Sequence, residues 1–339
     1  MIGIHCFKPN FKRLQYSNGE TPKSPSSDLF ALEDFDVIVQ YLSILSWKRY
    51  NGDIHLYTTS DGKRILDELN VASLYDYINT DVLDNADDNY NVSAFWTTCK
   101  LQIQKHLPLP YCMLDLDLYV EKNLKEVGFF DKSLGLLHKE LFAVSYPHPK
   151  CIPGYNIEED WKWQAYPVNV ALLYMNNEEI RTEYIDKALS FIFNSPKEKL
   201  TMDYFCAARI CMAEQRLFGE IVDNRKPSYN LLIKGLYLPQ SWSSNTIGFN
   251  DVQNLNPAFF KEDLNMNGDH FKSNIKEVAQ WLNHLWGFKN NLIQDRQLKM
   301  VFVLRLLLKV KRDYPDFHER ILNSIDYMYK RCNEEYAKA

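Results

Sequence analysis

Up to about residue 222, apolar runs of strand length alternate with longer segments whose apolar residues recur every three or four positions. MIGIHCF reads as a buried first strand, and the Pro-, Ser-, Asn- and Lys-rich stretch after it reads as a loop. Asp28 is placed to cap a helix running to about Tyr50, with Phe35, Ile38, Tyr41, Leu42 and Leu45 spaced to bury one side. DIHLYTT is a second strand, SAFWTTCKLQIQKH an amphipathic helix, and YCMLDLDLYV a strand with an acidic end. LFAVSY and VNVALLYMN read as further strands, followed by helices from about Glu178 to Phe193 and from about Thr201 to Phe218. This order predicts an α/β fold, a mostly parallel central sheet flanked by helices on both faces. Residues 292–312 and 316–336 read as two terminal helices parted by Pro315. The expected organisation is a catalytic-type α/β domain over residues 1–290 and a helical extension over 291–339 packed on it.

A chain of 339 residues that is 46% hydrophobic can bury a sizeable core. Its formal charge of -5 gives no general basic field, so a nucleic-acid partner held by bulk electrostatics is not expected. Seven scattered cysteines without a CxxC pair fit neither a disulfide framework nor a zinc ribbon, and point to a reducing compartment such as the cytoplasm. The N-terminus lacks the sustained apolar region of a signal peptide, and MVFVLRLLLKV at 300–310 is too short and too charged to span a bilayer.

Asp115 and Asp117 carry the sharpest chemistry. Ligands of open α/β sheets bind beyond the carboxyl ends of strands, and strand residues two apart share a face, so these carboxylates can converge on one hard cation. The plainer alternative makes one Asp a turn cap and the other a solvated rim residue. Lys100, on the amphipathic helix beside Phe95 and Trp96, reads by itself as a lysine lying over apolar surface.

PYCMLDLDLYV resembles the metal-binding DxD strand of glycosyltransferases of the nucleotide-sugar-binding superfamily, the GT-A type. NGDIHLYTTSDGKRIL is similar to the second strand of those enzymes, and SAFWTTCKLQIQKHLPLP to the helix before the DxD strand, where Lys100 matches a basic residue that approaches the donor phosphates. VNVALLYMN resembles the strand whose Asn contacts donor sugar or acceptor, and Asn169 matches that Asn, although Val170 and Ala171 stand where Ala and Gly are usual. NHLWGFKNN resembles the HxxGxxK motif of retaining enzymes similar to glycogenin and lipopolysaccharide galactosyltransferases. His284 would then be a third metal ligand, with Gly287 and Lys289 at the donor phosphates; Lys289 stands one residue early.

The resemblance implies a metal-dependent transfer of a sugar from a nucleoside-diphosphate donor, a UDP-sugar by preference, with Mn²⁺ or Mg²⁺ as cofactor. A glycan or lipid-linked saccharide would be the acceptor, and His284 favours retention. His5 and Lys8, after the first strand, stand where such enzymes meet the nucleotide. Asp203, Glu214 and Gln215 fall near the expected cleft, where a carboxylate such as Asp203 orients an acceptor or stabilises positive charge at the reacting carbon. Trp161 and Trp163, with Tyr155 and His148, form an aromatic loop suited to stacking on a sugar or to anchoring itself. Arg305, Lys309 and Arg312 share one helix face, read either as the basic edge of a core-docking helix or as a peripheral contact with an anionic membrane. Two rivals remain: a non-catalytic glycan- or partner-binding protein on the same fold, and a sugar nucleotidyltransferase, which the absence of a Gly-rich loop after the first strand disfavours.

Overall fold

The computed structural model describes residues 1–9, 32–92, 94–141, 146–152, 154–157, 160–196, 208–237, 274–285 and 296–336. Four strands, β1 (Gly3–Phe7), β2 (Ile54–Thr58), β3 (Tyr77–Asn79) and β4 (Tyr111–Leu114), lie parallel in the order β3-β2-β1-β4. β5 (Leu118–Val120) leaves this sheet. β6 (Leu134–Glu140) and β7 (Val168–Met175) extend it beyond β4 in the order β4-β7-β6, with β7 antiparallel to both neighbours. β8 (Tyr229–Leu231) and β9 (Leu236–Tyr237) run parallel to β6, and β10 (Leu282–His284) pairs antiparallel with β5 in a separate ribbon. One reversed strand in an otherwise parallel sheet meets the expectation of a mostly parallel α/β fold.

The helices are α1 (Asp34–Tyr50), α2 (Ser60–Glu68), α3 (Asp81–Asp84), α4 (Thr98–Gln104), α5 (Glu178–Asn194), α6 (Leu217–Arg225), α7 (Ile275–Val278), α8 (Arg296–Asp313) and α9 (Pro315–Tyr336). α1 starts at Asp34, where the Asp36 carboxylate accepts from the Glu33 N–H. The expected cap, Asp28, lies outside the described residues. α5 begins where Asn177 accepts from the Ile180 N–H, as its sequence implies. α4 is shorter than its amphipathic pattern suggests, because Thr98 is its first helical residue.

Two apolar clusters cover the two faces of the sheet. One gathers α1, α2, α8 and α9 around Phe35, Tyr41, Trp47 and Phe302; the other gathers α4, α5 and α6 around Phe95, Tyr184 and Phe218. α1 is buried along nearly its whole length, which is why its sequence is apolar on more than one side. The sheet lies beneath it and the terminal helices cover it, with Phe35 edge-on to Phe302 and the Tyr41 hydroxyl 3.2 Å from Ser324. Each such buried aromatic contributes on the order of 1.5–3 kcal/mol relative to exposure.

One expected strand is displaced. The sixth strand is Leu134–Glu140, not LFAVSY; Leu141 and Tyr146 lie outside any strand and the residues between them are outside the described set. All seven residues of β6 are buried, including His138, Lys139 and Glu140, so the strand shows no polar alternation to read.

The strand order places a crevice beyond the carboxyl ends of β1 and β4. From β1 the chain steps to β2 on one side and returns with β4 on the other, which is the switch point where ligands of open α/β sheets bind.

Candidate active site at the end of the fourth strand

β4 ends with the Asp115 N–H donating to the Ala171 carbonyl at 2.8 Å, the last rung towards β7. The chain then turns, with the Leu118 N–H donating to the Asp115 carbonyl at 3.1 Å. Asp115 and Asp117 therefore converge through a tight turn, and not through strand alternation as the DxD pattern suggested. Beyond the turn, β5 recruits β10: His284 is in register with Leu118, and the Leu285 N–H donates to the Asp117 carbonyl at 3.0 Å. This ribbon brings a residue 167 positions later in the chain against Asp117 (284 − 117). Ligand atoms of Asp115, Asp117 and His284 all lie within 4.8 Å of one another.

That spacing fits a divalent cation. Oxygen and nitrogen ligands sit roughly 2.0–2.6 Å from such an ion, so ligands on opposite sides of it are separated by about 4–5 Å. Two carboxylates and an imidazole also form a mixed donor set suited to Mn²⁺. Asp117 and His284 are buried and Asp115 is partly exposed, leaving the cluster open on the Asp115 side.

Lys100, on α4, reaches the same point. Its Nζ donates to Asp115 at 2.7 Å and pairs with Glu214 at 2.5 Å, while the Thr97 hydroxyl donates to the other Glu214 oxygen at 3.1 Å. Burial alone would depress the Lys100 pKa, but Asp115 and Glu214 outweigh it and hold the ammonium well above its usual range. Burial raises the Glu214 carboxyl in turn, against the pull of Lys100. Two carboxyl groups thus share one ammonium at the mouth of the cluster.

Glu214 and Gln215 project from a single π-helical turn, Met212–Arg216, that leads into α6. Such turns are frequent at functional sites, because the widened backbone re-aims consecutive side chains. Gln215 meets the Tyr146 hydroxyl, which also contacts Glu140 at the carboxyl end of β6. Asn169, the second residue of antiparallel β7, donates to Glu140 at 2.7 Å and accepts from the Ala171 N–H at 3.0 Å. Burial pushes the Glu140 carboxyl up to about 7, opposed by its hydrogen bonds from Tyr146 and Asn169. Asn169 is therefore held by a buried carboxyl that the sequence reading did not single out.

The remaining expected residues separate. His5 is fully buried beneath the site, with ring nitrogens 2.9 Å from the Tyr75 hydroxyl and 3.0 Å from the Ser43 hydroxyl. Ser43 donates to the Leu118 carbonyl at 2.6 Å, so His5 acts on the turn through the core. Burial lowers its pKa to about 3 against the opposing charge of Asp117, which keeps the imidazole neutral. Lys8 pairs with Asp88 at 2.6 Å. The aromatic loop is anchored: the Trp163 N–H donates to Glu220 at 3.1 Å, and Arg216 donates to the carbonyls of Tyr146, Pro147 and Trp163. Asp203, Gly287 and Lys289 lie outside the described residues.

No protein-family model and no curated protein matches the chain. Among solved structures, it is similar to the galactosyltransferase LgtC in complex with donor and acceptor sugar analogs, at 11% identity over 62% of this chain and 70% of that one, with a TM-score of 0.33. An active-site mutant of LgtC is similar at 12% identity over the same shares, also with a TM-score of 0.33. Mouse xyloside xylosyltransferase 1 in its apo form is similar at 11% identity over 68% of this chain and 84% of that one, with a TM-score of 0.35. Likenesses this loose carry no weight for what the site does; its own geometry has to.

Proposed function

We propose that the chain is a metal-dependent glycosyltransferase that uses a nucleoside-diphosphate sugar, a UDP-sugar by preference. The convergence of Asp115, Asp117 and His284 within 4.8 Å at the switch point of the sheet carries this reading. The resemblance of the DLD and NHLWG segments to glycosyltransferase motifs supports it. Asp115, Asp117 and His284 would hold Mn²⁺ or Mg²⁺, which when bound supplies Lewis-acid stabilisation of the donor diphosphate.

The chain's own residues do the rest. Lys100, kept protonated by Asp115 and Glu214, offers a positive charge where the leaving diphosphate gains negative charge. Asn169, fixed by Glu140, would contact donor sugar or acceptor, as the resemblance implies. Glu214 and Gln215, on the π turn beside Lys100, would position the acceptor, a glycan or lipid-linked saccharide. Retention of the anomeric configuration is what the resemblance of the His284 segment to the retaining enzymes implies. Gly287 and Lys289 remain assigned to the donor phosphates through the resemblance, and Asp203 to acceptor orientation through its position in the sequence.

The test is release of nucleotide from a panel of UDP-, GDP- and CDP-sugars with Mn²⁺, with and without chelator. Metal-dependent turnover of one donor family, lost in Asp117→Asn, is expected, with an unchanged anomeric configuration by NMR. A folded protein that neither binds nor turns over any of them would reject the transferase reading in favour of a non-catalytic binder.

A further inference from the structure

α8 is apolar on two sides. Its inner face sends Phe302, Leu306 and Val310 into the core, all fully buried. Its outer face carries Met300, Val301, Leu304 and Leu308, exposed by 65, 45, 58 and 57%, half of the eight large apolar side chains exposed among the described residues. At about 100° per residue these four fall within an arc of roughly 100°. A contiguous exposed apolar stripe on a helix marks an interaction surface.

Charge identifies the partner. α8 carries Arg296, Lys299, Arg305, Lys309, Lys311 and Arg312 against a single acid, Asp313, in a chain whose formal charge is -5. Lys309 does not belong to an outer basic face, as its spacing with Arg305 and Arg312 suggested. It is buried, pairing with Glu121 at 2.6 Å and Asp313 at 2.9 Å. Lys299 likewise pairs with Glu33 and Asp34 on the α1 side. The exposed Lys311 falls in the same arc as the apolar stripe, and Arg305 and the exposed Arg312, which pairs with Asp313 at 2.6 Å, fall along its border.

We infer that α8 lies on an anionic lipid surface, with Met300, Val301, Leu304 and Leu308 at the headgroup boundary and Arg305, Lys311 and Arg312 on lipid phosphates. An apolar stripe bordered by cations is the composition that binds such surfaces. A second copy fits less well, because a two-fold contact through this face brings identical cations together. The inference does not depend on the glycosyl-transfer reading. α8 nonetheless packs next to the site: Lys309 ties it to Glu121, directly after β5.

The experiment is co-sedimentation of the full chain with phosphatidylcholine vesicles, with and without phosphatidylglycerol, in the absence of metal and nucleotide. Binding is expected only to the anionic vesicles, weakening with salt. Leu304→Glu with Leu308→Glu should reduce it by about tenfold or more at unchanged circular dichroism. Arg305→Glu with Lys311→Glu should remove most of its salt dependence. Absence of vesicle binding overturns the inference, as does equal binding by the Leu304→Glu, Leu308→Glu variant. A dimer in light scattering that this variant dissociates, without vesicle binding, assigns the face to a second copy and overturns it as well.

Discussion

Lys100 Nζ and Glu214 Oε1 stand 2.5 Å apart, joining the helix before the DxD turn to the π turn before α6. Both side chains are almost wholly shielded from solvent. Removing one partner leaves the other charge buried without compensation, which typically costs about 3–5 kcal/mol. Lys100→Met should therefore destabilise the protein strongly in urea unfolding. Lys100→Met combined with Glu214→Gln should recover a large part of the loss, since the neutral amide no longer demands a counter-charge. Additive effects of the two changes would show that the pair is not coupled.

Loss of a metal ligand should cost more affinity than loss of a neighbour of the site. Asp117→Asn and His284→Ala should each weaken Mn²⁺ binding in calorimetry by more than the roughly 10–100-fold expected for loss of an outer-shell partner. Asn169→Ala, which disturbs a residue outside the Asp115, Asp117 and His284 cluster, should leave the affinity nearly unchanged. Equal affinity in wild type and His284→Ala would remove the imidazole from the ligand set.

The acidic pair was legible from its place at the end of an apolar strand, where ligands of open α/β sheets bind. Its mechanism of convergence was not, since the turn after Leu114 replaces the strand alternation that the pattern invites. His284 came forward only through a distant motif, as the β5–β10 ribbon that seats it is a long-range pairing. Glu214 and Gln215 were placed near the expected cleft only by their position along the chain. A 3.6-residue period cannot show that a π turn aims both at the cleft. Glu140 was hidden because a strand buried on both faces offers no alternation, so the strand was sought one segment later. Lys309 was misplaced by its basic neighbours, although Asp313 at i+4 was a visible partner.

Gly219 lets α6 approach the chain that enters β7. A Cβ there would overlap the Tyr166 carbonyl oxygen and sit 3.3 Å from the Pro167 Cα, both backbone atoms with little room to yield. Gly219→Ala should destabilise by about 1–3 kcal/mol, the usual range for overpacking, despite the better helix propensity of alanine. The displaced strand entry carries Asn169, so the loss should come with weaker donor or acceptor binding. A neutral or stabilising effect in thermal unfolding would mean that the two segments move apart without cost.

Glu140 should leave a mark on stability at mildly acidic pH. Its folded carboxyl titrates near 7, whereas an unfolded glutamate titrates near ~4.3. Between those values the folded chain keeps a proton that the unfolded chain has released, so this group makes stability fall as pH rises, and the fall is complete above pH ~7. A shift of this size corresponds to a change on the order of 3 kcal/mol. Glu140→Gln keeps the shape and an acceptor for Asn169 while removing the titration. The variant should match the wild type near the bottom of this window and exceed it in stability above the window. Urea unfolding at a series of pH values measures this directly, and parallel curves for the two proteins would show that Glu140 titrates at an ordinary value and that its burial is relieved by water.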